Sequence, residues 1–261
     1  MKKSLFKVII ICLLLAPALI YGKAPAKQMY YEIKIYRISQ TSQAATIDKY
    51  LKDAFIPAMH RAGVYNIGVF KPVEADTAYG KLIYVFIPYK TADQYFKTIG
   101  VLDKDQVYQQ AGKEFLDAPV TTPPFSRYES VFMKAFAFMP QLKVFKYDTP
   151  PAQRIYELRS YESATEAKAL KKIHMFNEGG EIAIFEKVGS NAVFYGQVLF
   201  GSQKPRLMYL TTYADMKSHD EHWAAFRNSP EWKALSSKEE YKSTTSKTKA
   251  FLCHPTDYSD F

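Results

Sequence analysis

Tyr31-Glu32-Ile33-Lys34-Ile35-Tyr36 returns 125 residues later as Tyr156-Glu157-Leu158-Arg159-Ser160-Tyr161, and that echo decides the fold. Other phrases repeat in the same order. IPAMHRAG ending at Gly63 answers IAIFEKVG ending at Gly189, and YESVFMKAF from Tyr128 answers KTKAFLCHP from Lys247. KLIYVFIPY from Lys81 answers RLMYLTTY from Arg206, which pairs Tyr84 with Tyr209. A unit kept twice with few insertions has an apolar face that only its neighbour can cover.

Each copy reads as strand, helix, strand, strand, helix, strand. Residues 30–38 alternate, with Tyr31, Ile33 and Ile35 on one face and Glu32, Lys34 and Tyr36 on the other, the period of a strand. Ala45, Tyr50, Leu51, Phe55 and Met59 recur near every 3.6 residues and predict a helix over 41–61, with Gly63 as its terminator. Strands follow at 65–70 and 81–88, a helix near 91–116 and a strand at 127–138. Pro140, Pro150 and Pro151 mark 140–153 as a linker. The second copy gives strands at 154–161, 191–199, 206–213 and 247–254, with helices over 164–187 and 214–235. Gly179-Gly180 interrupts the first of these helices at a cost of about 2 kcal/mol against alanine, so a break is expected there. His254 to Phe261 is read as a surface tail. The fold class is therefore α+β: two tandem ferredoxin-like βαββαβ units, 29–139 and 154–261, form an intramolecular dimeric α/β barrel with their bare sheet faces turned together.

Composition bounds the rest. The chain has 261 residues, 48% of them hydrophobic and 23% charged, which suits a globular protein with a full core. Lys2, Lys3 and Lys7 precede an apolar run from Val8 that is broken by Pro17 and ends near the small residues Gly22, Ala24 and Ala26. That is the pattern of a signal peptide over 1–26, and the run is shorter than the roughly 20 residues a spanning helix needs. The expectation is a secreted, periplasmic protein with no stable membrane anchor after cleavage. Cys253 would then be the only thiol of the mature chain, so no internal disulfide can form. Losing 1–26 would lower the net charge from +9 to +5, without a basic cluster, which argues against nucleic acid as a partner. A small-molecule ligand and a second copy of the chain are the partners left open.

Strand alternation supplies the candidate site. If Ile33, Ile35 and Leu158 pack on the helices, then Glu32, Lys34, Tyr36, Glu157, Arg159 and Tyr161 point into the barrel, with Tyr195 and Tyr209 beside them. Such a group is either a polar pocket where Arg159 or Lys34 holds an anionic or carbonyl-bearing ligand, or a set of cross-strand ion pairs that closes the barrel. Other constellations are weaker. His219 and His222 share a helix face at i, i+3 but sit at the margin of the Met216, Trp223, Phe226 stripe, so no metal is assigned. His174 and Glu178 at i, i+4 are either an acid and base at the helix break or an exposed pair. Trp223, Phe226 and Trp232 at helical spacing suit a core better than a ligand wall. Cys253 and His254 are neighbours on a strand and face opposite ways, so they make no nucleophile and base. The chain lacks GxGxxG, Walker and GxSxG motifs.

The phrases HRAGVYNIGVFKPVE, RIYELRSYE, MFNEGGEI, NAVFYGQVLFG, LMYLTTY, HWAAF followed by PEWK, and the ending HPTDYSD resemble together the NIPSNAP family, specifically its secreted tandem members. The resemblance implies the dimeric α/β barrel, with both halves from one polypeptide. It brings no established catalytic residue; barrel relatives include cofactor-independent monooxygenases, haem-handling enzymes and binding proteins. Lys247-Thr248-Lys249 and Cys253-His254 depart from the pattern in the last strand. The expected function is binding of a small organic ligand between the two sheets, with no permanent cofactor. Two alternatives stand beside it: a cofactor-independent oxygenase or isomerase using a tyrosine or His174 as base, and an assembly module whose barrel is filled by side chains.

Overall fold

The computed structural model describes residues 26–261; the leader expected over 1–26 lies outside the described residues except for Ala26. The first repeat runs β1 (Tyr30–Arg37), α1 (Thr41–Tyr50), a π-helical turn (Leu51–Phe55), α2 (Ile56–Arg61), β2 (Gly68–Pro72) and β3 (Leu82–Tyr89). It ends with α3 (Ala92–Leu102), α4 (Gln106–Ala111), α5 (Lys113–Leu116) and β4 (Arg127–Ala135). The second repeat runs β5 (Ile155–Glu162), α6 (Glu166–Phe176), α7 (Glu181–Lys187), β6 (Asn191–Phe200) and β7 (Arg206–Tyr213). Its last elements are α8 (Met216–Asn228), α9 (Pro230–Ser236), the 3-10 turn Glu239–Tyr241 and β8 (Lys247–Pro255). Local chemistry sets the helix starts: the side chains of Thr91, Asp105, Thr165, Asp215 and Ser229 each accept a backbone N–H of the first turn. The break at Gly179-Gly180 is present, with Gly180 at φ +91 between α6 and α7.

The eight strands close into one antiparallel barrel in the order β1-β3-β2-β8-β5-β7-β6-β4. Each repeat supplies four adjacent strands. The seams between repeats are β2 with β8, where Phe70 faces Pro255, and β4 with β6, where Met133 faces Val198. Closure leaves no sheet edge among the described residues.

Which residues face inward differs from the expectation. The apolar cluster that draws on strands of both repeats, and so fills the barrel, contains Tyr31, Ile33, Phe86, Tyr156, Leu158 and Leu210. Rings meet across the repeats, Phe86 with Phe194 at 4.9 Å and Phe70 with Tyr156 at 4.7 Å. The space left among them is about 10 Å³, room for one water at most. Glu32, Lys34, Tyr36, Glu157, Arg159, Tyr161, Tyr195 and Tyr209 therefore do not point into the barrel. They occupy the other parity of the strands, on the face that the helices cover. The physical reason is dryness: two sheets closed on each other exclude water more fully than a sheet under separate helices, and ions are costly where no water reaches. A ligand site between the sheets is thus overturned.

Strand register corrects two further expectations. Lys34 faces Val85 while Arg159 faces Tyr209, so Tyr209 matches Val85, and Tyr84 matches Met208. Arg37 faces Arg127 while Glu162 faces Lys247, so Lys247 matches Arg127 rather than Tyr128. A slip of one residue exchanges the two faces of a strand. The tail is not wholly on the surface either: Phe261 is buried against Phe70, Phe86 and Tyr156.

Candidate functional site

In the first repeat a cleft of about 510 Å³ opens between the outer face of the sheet and the helices. β1 supplies Glu32 and Lys34 to its floor, β3 supplies Tyr89, and β4 supplies Tyr128 and Ser130. The walls are Tyr50 of α1, Phe55 of the π-helical turn, and Tyr95 and Thr98 of α3. Glu32 is 3% exposed, and its carboxylate accepts from Ser130 Oγ at 2.6 Å and from Tyr89 Oη at 3.1 Å. Burial, reinforced by Glu32, pushes the Tyr89 hydroxyl far above the usual tyrosine range, so it stays a donor. Burial likewise raises Tyr108, whose hydroxyl lies 2.7 Å from that of Tyr50. Lys34 stands apart. Its ammonium lies 5.1 Å from the Phe55 ring centre and 6.0 Å from that of Tyr128, and among the described residues no carboxylate is within ion-pair distance. Rings over a cation offer weak attraction and leave all three N–H donors open.

The matching face of the second repeat is occupied. Arg159, at the position of Lys34, reaches Glu157 at 2.6 Å, and Trp223 Nε1 donates to the other Glu157 oxygen at 2.6 Å. The Trp223 ring also covers the guanidinium at 4.6 Å. His219 Nε2 lies 3.4 Å from Glu157, an ion-pair distance. Burial works to raise Glu157, but His219 and Arg159 outweigh it and hold the carboxyl below its usual range. Burial works to lower His219, and Glu157 and Asp220 outweigh it, so its pKa is raised. Beside this group Tyr161 and Tyr209 share a 2.8 Å hydrogen bond, the Tyr195 ring lies tilted 5.4 Å from that of Tyr209, and Lys172 pairs with the buried Glu181 at 2.7 Å. Burial raises the Glu181 carboxyl, opposed by Lys172.

The eight residues singled out from the sequence thus divide. Glu157, Arg159, Tyr161, Tyr195 and Tyr209 come together as a packed cluster. Glu32 and Lys34 line the cleft, and Tyr36 packs on Phe125 and Tyr128 nearby. Sequence reasoning missed Ser130, Tyr89 and Thr98: for Ser130 and Tyr89 the signal was strand parity, which puts them on the outer face with Glu32 and Lys34, and for Thr98 of α3 there was none. It also missed Lys172 of α6 and Glu181 of α7, which pair across the break at Gly179-Gly180. His174 bonds Tyr241 at 2.9 Å on the second repeat and lies outside the cleft lining. Cys253 is buried in the barrel while His254 bonds the Arg154 carbonyl, so the two do face apart. Among the described residues no group of three His, Cys, Asp or Glu could hold a metal ion.

Residues 156–260 match the family model described as NIPSNAP. The match covers the second repeat and not the first. Solved structures extend the likeness across both repeats. A candidate monooxygenase from Lactobacillus acidophilus NCFM superposes with a TM-score of 0.56 at 12% identity, over 88% of this chain and 94% of that one. A candidate monooxygenase from Fusobacterium nucleatum gives 0.55 at 10% identity, over 88% and 93%. An anthrone oxidase-like protein gives 0.51 at 10% identity, over 88% and 92%. At such identities what is shared is the barrel. The chain matches no curated protein sequence. The NIPSNAP match therefore falls on the repeat whose outer face is filled, and the open cleft belongs to the other repeat.

Proposed function

We propose that this is an exported, periplasmic protein that binds a small organic molecule in the first-repeat cleft, while the NIPSNAP repeat completes the barrel. One observation carries the reading. Glu32 and Lys34 both line a cleft large enough for a ligand, and Lys34 is not consumed by the ion pair that its counterpart Arg159 makes. A filled barrel interior is what an assembly module would show, and it is the cleft outside the barrel that favours binding instead.

A second reading, a cofactor-independent oxygenase or isomerase, draws on the buried Glu32 carboxylate. Tyr89 and Ser130 hold it facing the cleft, where it could accept a proton from a bound molecule. The barrels named as candidate monooxygenases lend it precedent of fold only. The test is a metabolite pull-down from a periplasmic extract, read by mass spectrometry. Ile99 stands half-exposed among the cleft residues, so Ile99→Trp should obstruct the cleft and empty the captured fraction. The same metabolites retained by that variant and by Lys34→Met would refute binding at this place; turnover of a captured metabolite that is lost in Glu32→Gln would favour the enzyme.

A further inference from the structure

We infer that the cleft selects an aromatic hydroxy acid, carboxylate on Lys34 and hydroxyl on Glu32; this rests on the binding role proposed above. Glu32 and Lys34 are alternate residues of one strand, so they share a face with their backbones about 7 Å apart. The two groups ask for opposite things. Lys34 offers three donors and a full positive charge with no carboxylate partner among the described residues, so it wants an anion. Glu32 accepts one hydrogen bond on each oxygen, and a carboxylate has about four acceptor sites, so it can take another donor. A ligand answering both carries an anionic group and a hydroxyl held apart by a spacer.

The spacer is set by the walls. Tyr50, Phe55 and Tyr95 surround the floor, which itself carries Tyr128, and these rings suit a flat apolar ring better than a sugar or a flexible polar chain. Orientation follows from charge. Apart from Glu32 and Lys34, the one charged residue among the described residues lining the cleft is Asp103, exposed at the C-terminal end of α3. It repels a carboxylate from the outer end and leaves Lys34 as the place for it. Ile99 and Leu116, both partly exposed, give the mouth an apolar lip over which a ring can pass. A cationic ligand would meet Lys34 unfavourably, and a purely apolar one would bury that ammonium without a partner.

The experiment titrates the full chain with three probes by calorimetry: 4-hydroxycinnamate, cinnamate without the hydroxyl, and 4-hydroxycinnamyl alcohol without the carboxylate. The hydroxy acid should bind tightest, with each deleted group raising Kd about tenfold. Lys34→Met should abolish the advantage of the acid over the alcohol, and Glu32→Gln should weaken the two hydroxylated probes while leaving cinnamate as it was. Equal affinities for the three probes overturn the inference, and this comparison needs no variant to fold. Failure of all three, while the captured metabolites still depend on an unobstructed Ile99, overturns the ligand class and leaves the binding site standing. Failure of every molecule to respond to Ile99→Trp overturns both.

Discussion

Lys34 and Arg159 differ by the reach and shape of one cationic head, and that difference separates an open cleft from a packed cluster. Arg159 presents a planar fork that binds Glu157 and lies under Trp223; the shorter Lys34 stops above two rings. Removing one partner of a largely buried pair strands the other, so Arg159→Met should destabilise by about 3 kcal/mol, read by urea denaturation. Lys34→Met removes a cation that has no such partner, and its Tm should stay level or rise. The Glu157–His219 contact adds a pH signature. Glu157 is held below its ordinary 4.5, so its contribution is present above about pH 4.5 and is lost as pH falls through the lowered value. His219 is raised above 6.5, so its contribution is full below about pH 6.5 and is lost as pH rises through the raised value. Both are complete only between those limits. Tm measured against pH should peak there, and His219→Gln should flatten the alkaline side of the curve. The sequence showed that these positions were polar and paired across the repeats, but nothing in it distinguished a lysine that falls short from an arginine that arrives.

The first helical stretch of each repeat deforms at the same place. Counting back from the matched Gly63 and Gly189, the π-helical turn Leu51–Phe55 corresponds to the break around Gly179-Gly180. The glycines announced their break. LKDAF did not, because its residues are ordinary helix formers and a π turn differs from an α turn by one residue of winding. That extra residue carries Phe55 to the cleft wall, so deleting the exposed Lys52 should leave the fold intact while ligand affinity falls, checked by circular dichroism beside calorimetry. At Gly179 the constraint is space: an added Cβ would sit 2.5 Å from the Met175 carbonyl oxygen and 2.9 Å from the Tyr241 hydroxyl. Gly179→Ala should therefore cost stability, on the order of 2 kcal/mol by denaturant titration, although alanine favours helix. Strand positions were legible to within a few residues, β2 lying at 68–72 rather than 65–70. The one-residue slip between β3 and β7 was invisible because β3 carries tyrosines on both faces, Tyr84 inside the barrel and Tyr89 under the helices.

Across the molecule the repeat predicted the element order and the closed barrel, yet it misled on which side of the sheet is inner. Amphipathic alternation distinguishes faces when one side is wet. Here both sides are buried, one by the opposite sheet and one by helices, and aromatic residues serve both. The shared interior also means that neither repeat has a core of its own on that side, so the chain should unfold in one transition. Both tryptophans, Trp223 and Trp232, belong to the second repeat. Their fluorescence should nevertheless lose its native value at the same temperature as the far-ultraviolet signal of the whole chain. Phe86→Ala, a first-repeat substitution, should move that fluorescence midpoint down by several degrees, in line with a cost of about 3 kcal/mol. Two separate midpoints would show the halves to be independent.

Cys253 lies in that shared interior, 1% exposed, with burial pushing its thiol well above the usual range. In the native state it is neither ionised nor reachable, so an alkylating reagent can mark it only when the strands part. The rate of that modification is a clock for breathing of the closed sheet, and a guest held outside the sheet would slow it only by stiffening the wall it leans on.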